Sequence, residues 1–473
     1  MATLPRKNPF FRRSKSRLRI LVGAGVKLAG TLFLTGLTIG ISCAPTAPRT
    51  APGSQKPAAR TETLTVFFTG STLGALKPCG CSGGQLGGLE RRRAIFGTVP
   101  RQRRLVVDTG SFVKSDGEQD LIKYNIIVQA LQLLNYDVAS LSEKDVEIGR
   151  NLDLLDGAAL GVHLIGPSYG AADVNLPAKF TRELALQGKA VVVTIAAFDA
   201  QAASLEQVRE LFTPRAGAQS LNILILSQCD AATVESIAAA IPPFVDCLVC
   251  PAQSDEPMVL SDQGKKPLVF SMGRFGRHIS RLQVASAPAR DGLKLSFEVI
   301  PVSEDLPPDA ALVSLYKDYQ QVVKGSNLLE KYPRFALPNN LEYVGSLSCK
   351  PCHDSEYKKW QETGHSKAYA TLEQVGSQAD PECIACHVIG MEYQSGFVSL
   401  EKTGDLKDVG CENCHGPGSE HIRTAGTAKS TEPKSACTNC HTPEHSGEYA
   451  GNERAFLEKI IHWKEPNTAG HVK

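Results

Sequence analysis

The sequence lacks, first, an excess of charge of either sign: 51 Lys and Arg stand against 49 Asp and Glu in 473 residues, a net of +2. So even a balance argues against a dedicated nucleic-acid binder. A long, uninterrupted apolar run is missing too. The stretch over residues 28–42 is short and glycine-rich for a helix that must cross a bilayer. Histidine is nearly absent from the front of the chain, where His163 and His278 are the only two before His353. Cysteine is not scarce, but the fourteen cysteines are not spaced as a disulfide scaffold.

The N-terminus reads as an export signal. Residues 6–19 carry seven basic side chains, and the apolar stretch 28–42 follows them. Small residues precede Cys43, as before the lipidated cysteine of a bacterial lipoprotein, although the usual Leu three positions earlier is Gly40. The reading favoured is a signal over 1–43 with a lipid anchor at Cys43. A plain secretory signal and an uncleaved anchor helix are the alternatives. All three put the mature chain outside the cytoplasmic membrane, periplasmic or on the outer surface. Residues 44–63, rich in Ala, Pro, Thr and Ser, cannot pack a core and read as a tether.

From residue 64 to about 303, short β-rich apolar runs alternate with helical ones. Strands are expected at 64–70, 104–110, 137–141, 189–198, 221–227, 245–249, 267–272 and 293–302, and helices at 121–134 and 231–241. That pattern indicates a layered α/β domain. Residues 304–340 read as a linker containing one helix, 310–323. From 341 to 473 aliphatic runs thin out while Gly, Cys, His, Lys and Glu take over. Such a segment is expected to be mainly short helices and loops, and hardly forms a hydrophobic core alone.

Eight cysteines of that last segment form four Cys-x-x-Cys pairs: Cys349/Cys352, Cys383/Cys386, Cys411/Cys414 and Cys437/Cys440. Each pair is followed at once by a histidine: His353, His387, His415 and His441. Two thiols at this spacing can add to the two vinyl groups of one haem, and the adjacent imidazole then faces its iron. Two zinc sites are the alternative; the histidine attached directly to every pair argues against them. The expectation is four covalent haem c groups. The second axial ligand is expected from His365, His421 and His462. His445 lies too close to His441 to reach the far face of the same iron, and His471 sits in the tail. Met391 is expected to pack rather than ligate.

Tyr343-Val344-Gly345-Ser346, Trp360 with Thr363-Gly364-His365, Cys386-His387-Val388, and Gly410-Cys411-Glu412-Asn413-Cys414-His415-Gly416-Pro417-Gly418 together resemble the tetrahaem cytochrome c-554 family. The resemblance implies electron transfer by mostly bis-histidine haems. Members of that family can keep one haem five-coordinate.

The front domain resembles the 5′-nucleotidase-type metallophosphoesterases. The carrying residues are Phe68-Thr69-Gly70, Gly87-Gly88-Leu89-Glu90-Arg91-Arg92, Asp108-Thr109-Gly110, Asn135-Tyr136-Asp137 and Gly273-Arg274-Phe275-Gly276. The resemblance implies a sandwich fold and a two-metal centre, but the ligands are largely replaced. The family's metal-binding positions fall on Ser71, Leu73, Asp108, Ser111, Glu143, Lys144, Gln228, Ala252 and Ser254, of which only Asp108 retains a ligand, and Lys144 would repel a cation. Cys79, Cys81, Cys229, Cys247 and Cys250 fit a disulfide, a thiolate metal site or inert buried thiols. The expected whole is an extracytoplasmic tetrahaem electron carrier, bound to redox partner proteins and to a membrane through Cys43, with the front domain used for docking. A redox enzyme acting on a small nitrogen or sulfur species at an open haem is the alternative.

Overall fold

A computed structural model of the chain describes residues 62–462, apart from 79–83, 168–173, 200–204, 213–218, most of 231–243, 262–265, 288–291, 432–435 and 444. The export signal with Cys43, the tether up to residue 61, Cys79, Cys81, most of the expected 231–241 helix and His471 lie outside the described residues. The described residues belong to one compact unit. No helix among them is long and apolar enough to cross a membrane.

The front domain is a layered α/β sandwich of two six-stranded mixed sheets. The first contains β1 (Leu64–Thr69), β2 (Arg104–Asp108), β3 (Val138–Ser140), β4 (His163–Ile165), β11 (His278–Ser286) and β12 (Leu293–Pro301), in the order β12-β11-β1-β2-β3-β4. The second contains β5 (Lys179–Leu186), β6 (Lys189–Phe198), β7 (Gln219–Leu226), β8 (Cys247–Ser254), β9 (Met258–Val259) and β10 (Leu268–Gly273), in the order β5-β6-β7-β8-β10-β9. Strands β1 to β4 run parallel, as do β6, β7, β8 and β10.

Alternation along β1 explains the layering. Leu64, Val66 and Phe68 point between the sheets, while Phe67 points to the opposite side. Every residue of β1 is buried, as a central parallel strand covered on both faces must be. Phe68 meets Phe270 of the facing sheet edge-on, ring centroids 5.4 Å apart. The helices Glu118–Leu133 and Ala310–Gly325 cover the outer face of the first sheet. The helix expected inside a linker is therefore a core element: Leu312, Leu315, Tyr319 and Val323 are buried in the same cluster as Phe67 and Leu131. Asp309 starts this helix by accepting from the amides of Ala311 and Leu312 at 3.0 and 3.2 Å.

Past residue 340 the chain is short helices and loops. They include Asp354–Gln361, Ala368–Val375, Pro381–Ile384, Cys411–His415, Ser419–Arg423 and Glu453–Glu458. The last ends at Glu458, so His462 stands on the loop beyond it. One small apolar cluster, built on Tyr369, Leu372, Ile384, Val388, Ile389, Met391, Phe397 and Leu406, supports the middle of the segment. Met391 packs there. Beyond Leu406 no apolar side chain is buried among the described residues.

Candidate functional site

The carboxyl ends of the front-domain strands converge. Ser71, after β1, takes the carbonyl of Gly110 for its amide at 2.8 Å, and its own carbonyl accepts from the amide of Phe275 at 2.9 Å. Its hydroxyl accepts from the amide of Ala252 at 3.4 Å. Four of the family's metal-binding positions thus lie near one another: Ser71, Leu73, Ser111 and Ala252. Ser71, Leu73, Ser111 and Phe275 all adopt left-handed backbone, with φ of 48°, 50°, 60° and 62°.

Behind these loops lies a buried polar chain. The Arg92 guanidinium donates to the Tyr136 hydroxyl at 3.0 Å. The Tyr136 and Thr69 hydroxyls are 2.8 Å apart, and Thr69 donates to Asp108 at 2.6 Å. Burial pushes the Asp108 carboxyl above its ordinary range, while the Thr69 hydrogen bond and the Arg92 charge oppose that rise. Arg92 itself is 1% exposed. The residue beside the expected Glu143 and Lys144 ties the loops together. Asp145 accepts from the amides of Ser111 and Phe112 at 2.6 and 3.0 Å and closes a capping box with Ser142. Lys144 turns away and donates to the Lys114 carbonyl at 3.1 Å. Gln228 is exposed, and the Ser254 hydroxyl donates to the Glu256 carbonyl at 2.6 Å. Among the described residues no group of three or more His, Cys, Asp or Glu stands together as a metal site. Cys229 and Cys250 form a disulfide, and Cys247 is a buried free thiol.

In the C-terminal segment six histidines stand in three pairs. The rings of His353 and His421 are 6.1 Å apart, those of His365 and His441 6.3 Å, and those of His415 and His462 6.1 Å. Each pair joins a histidine from a Cys-x-x-Cys-His motif to one from outside the motifs. Two metal–nitrogen bonds of about 2 Å, with about 1 Å from each ring nitrogen to its centroid, add to ~6 Å, so each gap fits one iron between facing nitrogens. Side hydrogen bonds hold the rings for that task. Nδ1 of His421 donates to the Ala428 carbonyl at 2.7 Å, and Nδ1 of His462 to the Ile460 carbonyl at 2.9 Å. Nδ1 of His441 lies 3.0 Å from the Ser446 hydroxyl. A proton held on Nδ1 leaves Nε2 as the free lone pair. Burial lowers the proton affinity of His365, His415 and His441, which favours the neutral imidazole a metal requires.

His387 differs. Its Nδ1 donates to the Ala368 carbonyl at 2.6 Å, yet among the described residues no histidine ring stands opposite it as in the other three pairs. His445 is exposed. The motifs crowd together: Cys349 lies beside Cys411, and Cys386 beside Cys440.

Residues 348–416 match the family described as cytochrome c554 and c-prime. The stretch is thus similar to a family of c-type cytochromes, and that likeness implies covalent haem c. No curated protein matches the chain. Among solved structures, the calcineurin-like phosphoesterase YfkN from Bacillus subtilis is 13% identical, covers 55% of this chain and 98% of its own, and gives a TM-score of 0.39. The 5′-nucleotidase precursor from Thermus thermophilus is 15% identical over 67% of this chain and 68% of its own, with a TM-score of 0.43. The NAD nucleotidase of Haemophilus influenzae is 12% identical over 61% and 64%, with a TM-score of 0.42.

The buried chain was not legible in the sequence, where Arg92 stands among the residues that carry a resemblance but nothing pairs it with Tyr136, Thr69 or Asp108. Replacing Arg92 with Met strands the Asp108 charge, and the loss of stability should be about 3 kcal/mol or more. Adding Asp108→Asn to that variant should recover part of the loss. The denaturant midpoint followed by circular dichroism reads both; an Arg92→Met variant as stable as wild type would show that Arg92 does not hold that charge.

Proposed function

We propose that this chain is an extracytoplasmic c-type cytochrome that carries four haems and passes electrons between redox partner proteins. Its front domain keeps the layout of a phosphatase without the metal chemistry, and serves docking. The observation that carries the reading is the set of three histidine pairs, each spaced for one iron and each drawing on a different Cys-x-x-Cys-His motif. Cys349 with Cys352, Cys383 with Cys386, Cys411 with Cys414 and Cys437 with Cys440 would tether the four groups. His353, His387, His415 and His441 would face the irons from one side, and His421, His365 and His462 from the other for three of them. When bound, each haem supplies an iron that takes up and gives back one electron. The protein's part is to grip that iron so that its ligands need not move, and the Nδ1 hydrogen bonds fix the imidazoles in that orientation.

One observation favours a second reading. Without a histidine opposite it, His387 would leave one iron with a free face, where a small nitrogen or sulfur species could bind and react. The chain would then be a multihaem oxidoreductase. The loss of phosphatase chemistry is read from the residues at the ligand positions, Ser71, Leu73, Ser111, Glu143, Lys144, Gln228, Ala252 and Ser254, and from the Arg92 guanidinium that balances the remaining Asp108.

Denatured protein should retain the mass and absorbance of four haems; a mass for fewer would sink the tetrahaem assignment. His365→Ala, His421→Ala and His462→Ala should each turn one low-spin haem high-spin without changing that mass. Wild type should already show one high-spin haem, and four low-spin haems would leave a pure electron carrier.

Hydrolysis gives an independent check. Phosphate esters and nucleotides should not turn over with added manganese or zinc, and robust metal-dependent turnover abolished by Asp108→Asn would restore the phosphatase.

Anchoring is read by fractionation. Cys43→Ala should move the protein from the membrane fraction to the soluble one, whereas equal retention would point to an uncleaved helix or a membrane-bound partner.

A further inference from the structure

We infer that the front domain is the seat of the second haem motif: the seam between the helices Glu118–Leu133 and Ala310–Gly325 holds Asp380 and Glu382, and thereby positions Cys383, Cys386 and His387. This rests on the haem reading above and gives the front domain an internal task besides docking.

Asp380 opens the short helix Pro381–Ile384, which carries Cys383. One of its carboxylate oxygens caps that helix by accepting from the Glu382 amide at 3.0 Å. The same oxygen accepts from the Gln119 side chain at 2.7 Å, and the other accepts from the Tyr319 hydroxyl at 2.8 Å. Asp380 is 7% exposed and Tyr319 2%, so these bonds are made away from water. Two residues past Asp380, Glu382 pairs with Lys123 at 2.5 Å, and the Lys123 side chain is 4% exposed. Gln320 adds bonds to the Val375 carbonyl at 2.7 Å and the Ser377 hydroxyl at 3.0 Å. The Tyr316 ring lies 5.8 Å from that of Tyr319, tilted by 33°, and beside Cys383. Gln119 and Lys123 come from one helix of the seam, and Tyr316, Tyr319 and Gln320 from the other.

The remaining motifs have no comparable seat among the described residues. The first and third brace each other: Glu412 accepts from the amides of Val344 and Gly345, and the Cys411 amide donates to the Ser346 hydroxyl. The fourth meets the front domain through an exposed bond from Gln85 to the His445 carbonyl. The motif with the buried seat is also the one whose histidine faces no other histidine. A haem gripped by two imidazoles is located from both sides. One gripped by His387 alone takes its position from its attachment loop, and that loop hangs on Asp380 and Glu382. Gln119, Lys123 and Tyr319 are therefore positioning residues for the open iron.

The test uses the full-length holoprotein with Tyr319→Phe and Gln119→Leu combined, which removes both side-chain donors to Asp380. The reduction potential of the high-spin haem, and its affinity for added imidazole, should change by roughly threefold or more in the binding constant. The three low-spin spectra and the four-haem denatured mass should stay as in wild type. Asp380→Ala should reproduce the change, and Asp380→Asn, which keeps the cap, should restore most of the wild-type behaviour. Should the double variant fail to accumulate, Tyr319→Phe alone carries the measurement. An unchanged high-spin haem, or a shift shared equally by all four haems, overturns the seat. Four low-spin haems in wild type would sink the open-iron reading separately; the seat then stands or falls on whether a single haem potential moves in the variant.

Discussion

Three pairs of imidazoles face one another across the C-terminal segment. Their spans interlace: His353 reaches forward to His421, His365 to His441, and His415 to His462, so no pair closes without enclosing part of another. The helices between them are eight residues or fewer, such as Asp354–Gln361 and Ala368–Val375, too short to stand in water unaided. The single apolar cluster ends at Leu406. Beyond it, hydrogen bonds such as those gathered by Glu412 brace the loops. In the proposed holoprotein, iron–imidazole bonds and thioethers are folding interactions as much as redox fittings, because an unfolded chain offers no preformed site for them.

The front domain shows the converse, loops held by their own hydrogen bonds. Left-handed backbone at Ser71, Leu73, Ser111 and Phe275 costs of order 1 kcal/mol or more at each non-glycine residue. It persists because the loops over-determine it, through the Ser71 bonds to Gly110, Ala252 and Phe275 and through the four hydrogen bonds gathered by Asp145. The strand ends converge there with Ser71, Leu73, Ser111 and Ala252 close together. Behind them burial raises the Asp108 carboxyl, and the Arg92 guanidinium opposes part of that rise.

Much of the sandwich was readable because apolar alternation reports burial directly: β1, β2, β6 and the helix Glu118–Leu133 fall where the pattern puts them. Strands β5 and β11 were not. Both alternate buried with exposed or half-buried positions and carry Arg182, Glu183, Arg281 and Gln283 in their exposed or half-buried places, so neither presents an apolar run. β4 has three residues, too few for any period to show. The attachment motifs were legible because thioether chemistry is local and fixes a spacing. Which outer histidine stands opposite which motif histidine was not, since pairing is a property of the folded loops. Asp145, Arg92 and Asp380 were missed for the same reason: each acts on groups distant in sequence, and nothing beside it in the chain signals burial.

Composition alone puts a boundary near residue 340, and by that measure the C-terminal segment looks like a separate module. The hydrogen bonds say otherwise. A chain beginning at 341 would carry Asp380 without Gln119 and Tyr319, and Glu382 without Lys123. Asp380 would then face water, and the turn that opens the Cys383 helix would keep only its own cap. The first and third motifs would lose nothing, since Glu412 and Ser346 brace them from within the segment. Dependence on the front domain is thus concentrated on the second motif, whose lone histidine has no opposing ring to replace that support. In the proposed holoprotein three motifs can be ordered by ligation within their own segment; the second leans on the apolar cluster around Ile384 and Val388 and, from outside the segment, on two helices of the front domain.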